Sequence, residues 1–205
     1  MLDHLVYGVP NLTAGIDSIE RETGVRARLG GSHPGRGTHN ALLSLGPGHY
    51  LEIIALDPAQ SDVPDLLFPE LRHLRVASLV SWAISVADIE DAREQAQAAN
   101  LRLIGPLDGS RMRSDGSLLR WKTLRIAAPS FALVPFFIAW DKETIHPSQD
   151  SPSGCKLVSV EIQHTDPDRL RRLLGKLAGE VRITPGPRSR LMARIETPNG
   201  AVELG

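Results

Sequence analysis

Several side chains in this sequence are suited to chemistry by type and spacing. His33 and His39 stand six positions apart with Arg36 between them, in the run Gly30-Gly31-Ser32-His33-Pro34-Gly35-Arg36-Gly37-Thr38-His39-Asn40. Two imidazoles and a guanidinium suit a carboxylate or phosphonate ligand. Backbone N–H groups of a segment this rich in glycine, Gly37 included, can cradle an anion. The plainer reading of Gly30–Gly37 is a flexible hairpin connection. It is not a phosphate loop, because no Gly-Lys-Ser/Thr follows and no helix begins after it. Asn40 is polar inside an apolar strand sequence, so if buried it orients a neighbour or binds a ligand. Glu52 sits in Leu51-Glu52-Ile53-Ile54. A carboxylate there faces solvent or a partner, since unpaired burial is costly. His4, in Asp3-His4-Leu5-Val6, reads equally well as a satisfied core histidine. Trp82, Trp121 and Trp140 either fill the core or wall an apolar pocket. His49, His73 and His146 fall in turns or connections and read as solvent-exposed.

The elements that must position these residues recur three times. Leu2–Val9 reads as a strand closed by Pro10, and Asn11 caps a helix to about Thr23 with Gly24 as its stop. Strands follow at Val25–Leu29, Thr38–Leu45 and His49–Leu56. The second pass is a strand at Val80–Val86, a helix from Asp88 to about Asn100, and strands at Leu101–Ile104, Leu118–Ala127 and Phe131–Trp140. Asp108–Ser117 reads as a polar loop, Ala128-Pro129-Ser130 as a turn, and Pro69–Leu74 as a short helix. The third pass is a strand at Leu157–Gln163, a helix at Asp166–Leu177, and strands at Val181–Thr184, Arg190–Glu196 and Ala201–Leu204. Val9-Pro10-Asn11-Leu12, Val86-Ala87-Asp88-Ile89 and Gln163-His164-Thr165-Asp166 align as strand ends that open helices. The pattern predicts an α+β fold of repeated β-α-β-β-β modules, with curved, paired mixed sheets around a cleft and helices outside. The modules are 1–58, 79–140 and a short 156–205, joined by connections at 59–78 and 141–155, within one domain. Such a cleft holds a small molecule.

Composition bounds the partners. The chain has 205 residues, 23 Lys+Arg against 24 Asp+Glu, and a net charge of −1, which argues against nucleic-acid or membrane-surface binding. Its single cysteine, Cys155, allows no internal disulfide and no cysteine-based zinc site. No apolar run approaches the ~18 residues of a membrane span, and the N-terminus lacks a signal-peptide pattern, so a cytoplasmic location is expected.

The repeat, together with LDHLVYGVPNL, GGSHPGRGTHNALLSLG and YLEIIALDP, resembles the vicinal oxygen chelate superfamily, and within it the glyoxalase-like domain proteins. Residues 2–58 carry the resemblance; the later modules match in pattern only. The resemblance implies a divalent metal (Fe, Mn, Zn, Ni or Co) held by His4 from the first strand and Glu52 from the fourth, with His39 as third ligand. His39 and Glu52 are the implied catalytic groups, and His33, Gly37, Asn40, Trp82 and Trp121 the implied substrate contacts. The corresponding second-module positions carry Ser81 and Pro135, and the third-module positions Ser159 and Glu203. The implied activity is a metal-dependent lyase, isomerase or dioxygenase acting on a small molecule through vicinal oxygens. The alternative is a metal-free protein that sequesters a small molecule in the same cleft. Open strand edges and the resemblance both suggest a homodimer.

Overall fold

The computed structural model describes residues 1–60, 63, 68–98, 101–113, 116–127 and 133–205. The first module is β1 (Leu2–Gly8), α1 (Leu12–Thr23), β2 (Arg28–His33), β3 (Thr38–Ser44) and β4 (Tyr50–Leu56). Asn11 caps α1 by accepting from the Ala14 N–H at 3.0 Å, and Gly24 ends it with φ 76°. Ile16 and Ile19 bury the helix against the sheet. The second module is β5 (Ser78–Ser85), α2 (Ile89–Ala98), β6 (Leu103–Met112), β7 (Leu118–Ile126) and β8 (Phe136–Trp140).

These eight strands form one mixed sheet in the order β2-β3-β4-β1-β5-β8-β7-β6. In each module the first strand lies parallel to the last, and β1 and β5 join the modules antiparallel. The sheet curls until its two edges approach. Arg111 of β6 donates from Nη1 to the Gly30 carbonyl of β2, and a Cβ added at Gly31 would stand 3.3 Å from the Met112 carbonyl oxygen. One face of the curl is concave; the other packs on the helices in the larger of two apolar clusters.

A connection containing the short α3 (Pro147–Asp150) leads to β9 (Lys156–His164), α4 (Pro167–Leu174), β10 (Arg182–Pro185), β11 (Arg190–Thr197) and β12 (Gly200–Leu204). Here the element order repeats but the pairing does not. The sheet runs β10-β9-β11-β12, with the second strand of the unit parallel to the first. Ile162, Leu191 and Ile195 of this sheet join the core beneath α1.

Two local expectations are corrected. Gly30 to His33 belong to β2, paired with β3, rather than to a loop. The strand passes there because a Cβ at Gly30 would lie 2.1 Å from the Asn40 side-chain oxygen, so only glycine fits. The segment read as a polar loop from Asp108 is strand β6 as far as Met112; being mostly exposed at the sheet edge, it carries no hydrophobic alternation to reveal it. The short helix expected at Pro69–Leu74 is present as a 3-10 helix, Pro69–His73. Asn100, the turn at 128–130 and the start of the strand expected at Phe131 lie outside the described residues.

Candidate functional site

Side chains alternate across a strand, and this sorts the candidates. Leu5 and Tyr7 of β1 face the helices, so His4 and Val6 face the hollow. Likewise Leu51 and Ile53 of β4 face the helices, so Tyr50 and Glu52 face His4. Asn40 of β3 and His33 at the end of β2 complete the wall, and Trp121 of β7 faces them. The structure therefore brings together His4, His33, Asn40, Glu52 and Trp121 around a chamber of about 50 Å³.

It does not bring Trp82, His39 or Gly37 there. Trp82 pairs opposite Leu5 and is 1% exposed among the residues packed on the helices. His39 precedes Asn40 on β3 and so points away from the chamber, on the side of Ala41 and Leu43. Gly37 (φ 67°) shapes the β2–β3 turn, and its carbonyl accepts from the Asp57 N–H at 3.0 Å.

The pairing of β1 with β5 slips between Leu2 and Leu5, and at this irregularity the Asp3 and His4 side chains meet. His4 Nδ1 lies 2.7 Å from Asp3 Oδ1. The carboxylate can only accept, so the neutral form of His4 is the tautomer with its proton on Nδ1 and a bare Nε2. That Nε2 faces Glu52 Oε2 across 3.7 Å. The Tyr50 ring stacks on His4 at 4.4 Å, and Phe136 packs edge-on at 5.4 Å, fixing its plane. Asp3 Oδ2 also accepts from Trp140 Nε1 at 3.0 Å and lies 3.1 Å from His146 Nε2. On the other side, Asn40 Nδ2 donates to Glu52 Oε1 at 2.7 Å and lies 3.2 Å from His33 Nε2. His33 Nε2 is thus the acceptor, and its Nδ1 donates to Thr38 Oγ1 at 2.8 Å.

Electrostatics follow from this wiring. Burial pushes Asp3 up, but its hydrogen bonds with His146 and His4 outweigh that and hold it well below the usual carboxylate range. Burial lowers His33 despite the nearby Glu52, which keeps its ring neutral. Burial raises the Tyr50 phenol, with Asp3 and Glu52 adding to the effect. Two arginines line the same chamber. Arg111 is lowered by burial, with Glu52 opposing. Arg125 is lowered to about 10 by burial, with Glu70 opposing, and lies 4.6 Å above the Phe68 ring.

The donor set was expected to hold a divalent metal. A catalytic zinc keeps three protein ligands, and among the described residues no group of three or more His, Cys, Asp or Glu side chains is placed to hold an ion. His4 and His33 each lie 3.7 Å from Glu52 without forming such a group, and His33 Nε2 is already taken by Asn40; His39 points elsewhere. The second module turns Thr123, Arg125, Phe136 and Ile138 into the chamber. Ser159 and Glu203 lie exposed on the other sheet. Arg111 and Arg125 add positive charge where a dication would sit. The residues present do not fit a resident metal.

A larger groove of about 710 Å³ adjoins the chamber, bounded by the start of α2, by β6 and β7, and by the β2–β3 turn. The sequence reading missed Asp3, Arg111, Arg125 and His146. Of these only Asp3, adjacent to His4, left a local signal. The others reach the site from elements far along the chain; His146, expected in solvent, is 143 positions from Asp3.

A curled sheet of two β-α-β-β-β modules enclosing a chamber defines a paired-module α+β fold. The chain belongs to the glyoxalase-like domain family Glyoxalase_3, whose model matches residues 2–178. It is similar in fold to a hypothetical protein from Staphylococcus aureus, at 15% identity and a TM-score of 0.70, covering 92% of this chain and 87% of that one. Methylmalonyl-CoA epimerase from Mycobacterium tuberculosis matches at 17% identity and a TM-score of 0.46, over 68% of this chain and 85% of that one. A single-site variant of the Streptomyces coelicolor methylmalonyl-CoA epimerase, in complex with 2-nitronate-propionyl-CoA, matches at 15% identity and 0.48, over 70% and 97%. No curated protein matches the chain. Among the described residues no helix is long and apolar enough to cross a membrane.

Proposed function

We propose that this chain is a glyoxalase-like enzyme that moves a proton on carbon of a small molecule, in the manner of an isomerase or lyase. His4 and Glu52 are the acid–base pair. The observation that carries this reading is the bare His4 Nε2 facing Glu52 Oε2 across 3.7 Å inside the chamber. Such a gap is too wide for a hydrogen bond and leaves a polar edge for a substrate C–H or O–H. In the forward step His4 Nε2 takes the proton, the C–H electron pair moves onto the adjacent carbonyl oxygen, and Asp3 stabilises the imidazolium through Nδ1. The proton then passes from His4 Nε2 to Glu52 Oε2, and Glu52, steadied by Asn40, delivers it to the substrate carbon as the carbonyl re-forms. General acid–base groups so placed contribute on the order of 10²–10⁴ in rate. A metal-dependent lyase or dioxygenase would need His33 freed from Asn40 and drawn in beside His4 and Glu52, since among the described residues no such group is placed to hold an ion.

The test is hydrogen–deuterium exchange at the carbon next to the carbonyl of 2-oxo and 2-hydroxy acids in D₂O, followed by proton NMR. Wild type should catalyse exchange, and Glu52→Gln and His4→Gln should each lose at least tenfold. The second reading, a binding protein, is favoured by the apolar Phe136 and Ile138 in the second-module wall. It predicts ligand binding with no exchange in any of the three proteins.

A further inference from the structure

The inner chamber and the outer groove differ more than tenfold in size, about 50 Å³ against about 710 Å³. They share His33, Trp121, Thr123 and Trp140 in their walls, so the two spaces adjoin at these side chains. One water occupies ~30 Å³ of liquid, so the inner space admits a head group of only a few heavy atoms. The body of any larger ligand must lie in the groove.

The charges in the two spaces differ in kind. In the chamber, Arg111 is 5% exposed and permanently charged. Among the described residues its one hydrogen-bond acceptor is the Gly30 carbonyl, which leaves most of its five N–H donors for a ligand. Glu52, the facing carboxylate, already accepts from Asn40. A planar guanidinium matches a carboxylate in two parallel hydrogen bonds, better than it matches a neutral oxygen. In the groove, Arg36, Arg120 and Lys122 face four acidic side chains, so its field is close to balanced. Its inner end is walled by Trp121 and Trp140, whose ring centroids are 5.6 Å apart.

We propose that the ligand is a monocarboxylate with an uncharged, partly apolar body. Its carboxylate lies on Arg111 in the chamber, and its body lies along Trp121 and Trp140 in the groove. This rests on the chamber being the reacting site, and it places the carbon next to the carboxylate beside His4 and Glu52.

Isothermal titration of the full chain at neutral pH tests it with three probes: 3-phenylpropanoate, acetate and 3-phenylpropan-1-ol. Wild type should bind 3-phenylpropanoate at least tenfold more tightly than either acetate, which lacks the body, or the alcohol, which lacks the charge. Arg111→Met should weaken the acid at least tenfold, and Arg111→Lys less. Arg111 also clasps the sheet edges, so should Arg111→Met fail to fold, the acid–alcohol comparison on wild type and Arg111→Lys decide. The proposal is overturned if the alcohol binds as tightly as the acid, if both Arg111 variants bind the acid like wild type, or if no probe binds. Tight acid binding without deuterium exchange would remove the proton-transfer reading and leave this one standing. Exchange on a neutral substrate, indifferent to Arg111, would do the reverse.

Discussion

Asp3 is 1% exposed and meets three donors, from His4, Trp140 and His146. That arrangement both charges the aspartate and selects the His4 tautomer. Asp3→Asn replaces an acceptor pair with an amide that can present its NH₂ to His4 Nδ1, which would move the ring proton to Nε2, toward Glu52. The expected result is loss of at least tenfold in exchange activity, and ~1.5–3 kcal/mol in stability for losing hydrogen bonds to a buried charged group. The stability effect has a defined pH window. Asp3 is lowered in the folded state, so its contribution is complete above the ordinary carboxylate pKa of ~3.9 and is lost as pH falls below it. Urea unfolding of wild type and Asp3→Asn should give a stability difference that starts to shrink as pH falls below that value; a constant difference would deny Asp3 its charge.

At the scale of elements, the placement of β2 is the feature most open to test. Gly30→Ala puts a methyl 2.1 Å from Asn40 Oδ1 and 3.2 Å from the Arg111 guanidinium carbon. Overpacking of this kind costs ~1–3 kcal/mol, and here it also pushes Asn40 off Glu52. A lowered melting temperature together with weaker carboxylate binding is expected; a neutral outcome would mean that β2 does not cross there. The strand–helix openings were legible because caps and stops are local: Asn11, Gly24 and Asp166 sit where the chain reads. Glu52 and His4 were legible as a pair only through the family resemblance, since each alone reads as a buried polar exception. Trp82 and His39 misled for one reason, that residue type says nothing about which face of a strand it occupies. Pairing with Leu5 sends Trp82 to the helices, and a one-residue offset from Asn40 does the same for His39. Gly30 and Gly31 looked like a loop because glycine marks both turns and close backbone approaches.

At the scale of the molecule, the two modules divide the work. The first supplies His4, His33, Asn40 and Glu52; the second supplies Arg111, Arg125 and the indoles of Trp121 and Trp140. Among the described residues the third unit contributes none to the chamber, but the connection leading to it returns His146 to Asp3 and Pro147 to the chamber wall. None of this joint architecture was readable from spacing, because it depends on β1 pairing with β5 and on the curl that closes β2 toward β6. A chamber whose His4, His33 and Glu52 are not placed to share an ion, and which holds two arginines, should carry no resident metal. Elemental analysis of protein purified without chelators should find well under one equivalent of any divalent ion; a full equivalent lost on His4→Ala would restore the metal-dependent reading. The most direct measurement is the nitrogen-15 spectrum of the His4 ring above about pH 8, where an ordinary imidazole is neutral. The account predicts a protonated Nδ1 held by Asp3 and a bare Nε2 facing Glu52. A ring protonated on Nε2 instead would leave His4 unable to accept a proton in the chamber, and would contradict it.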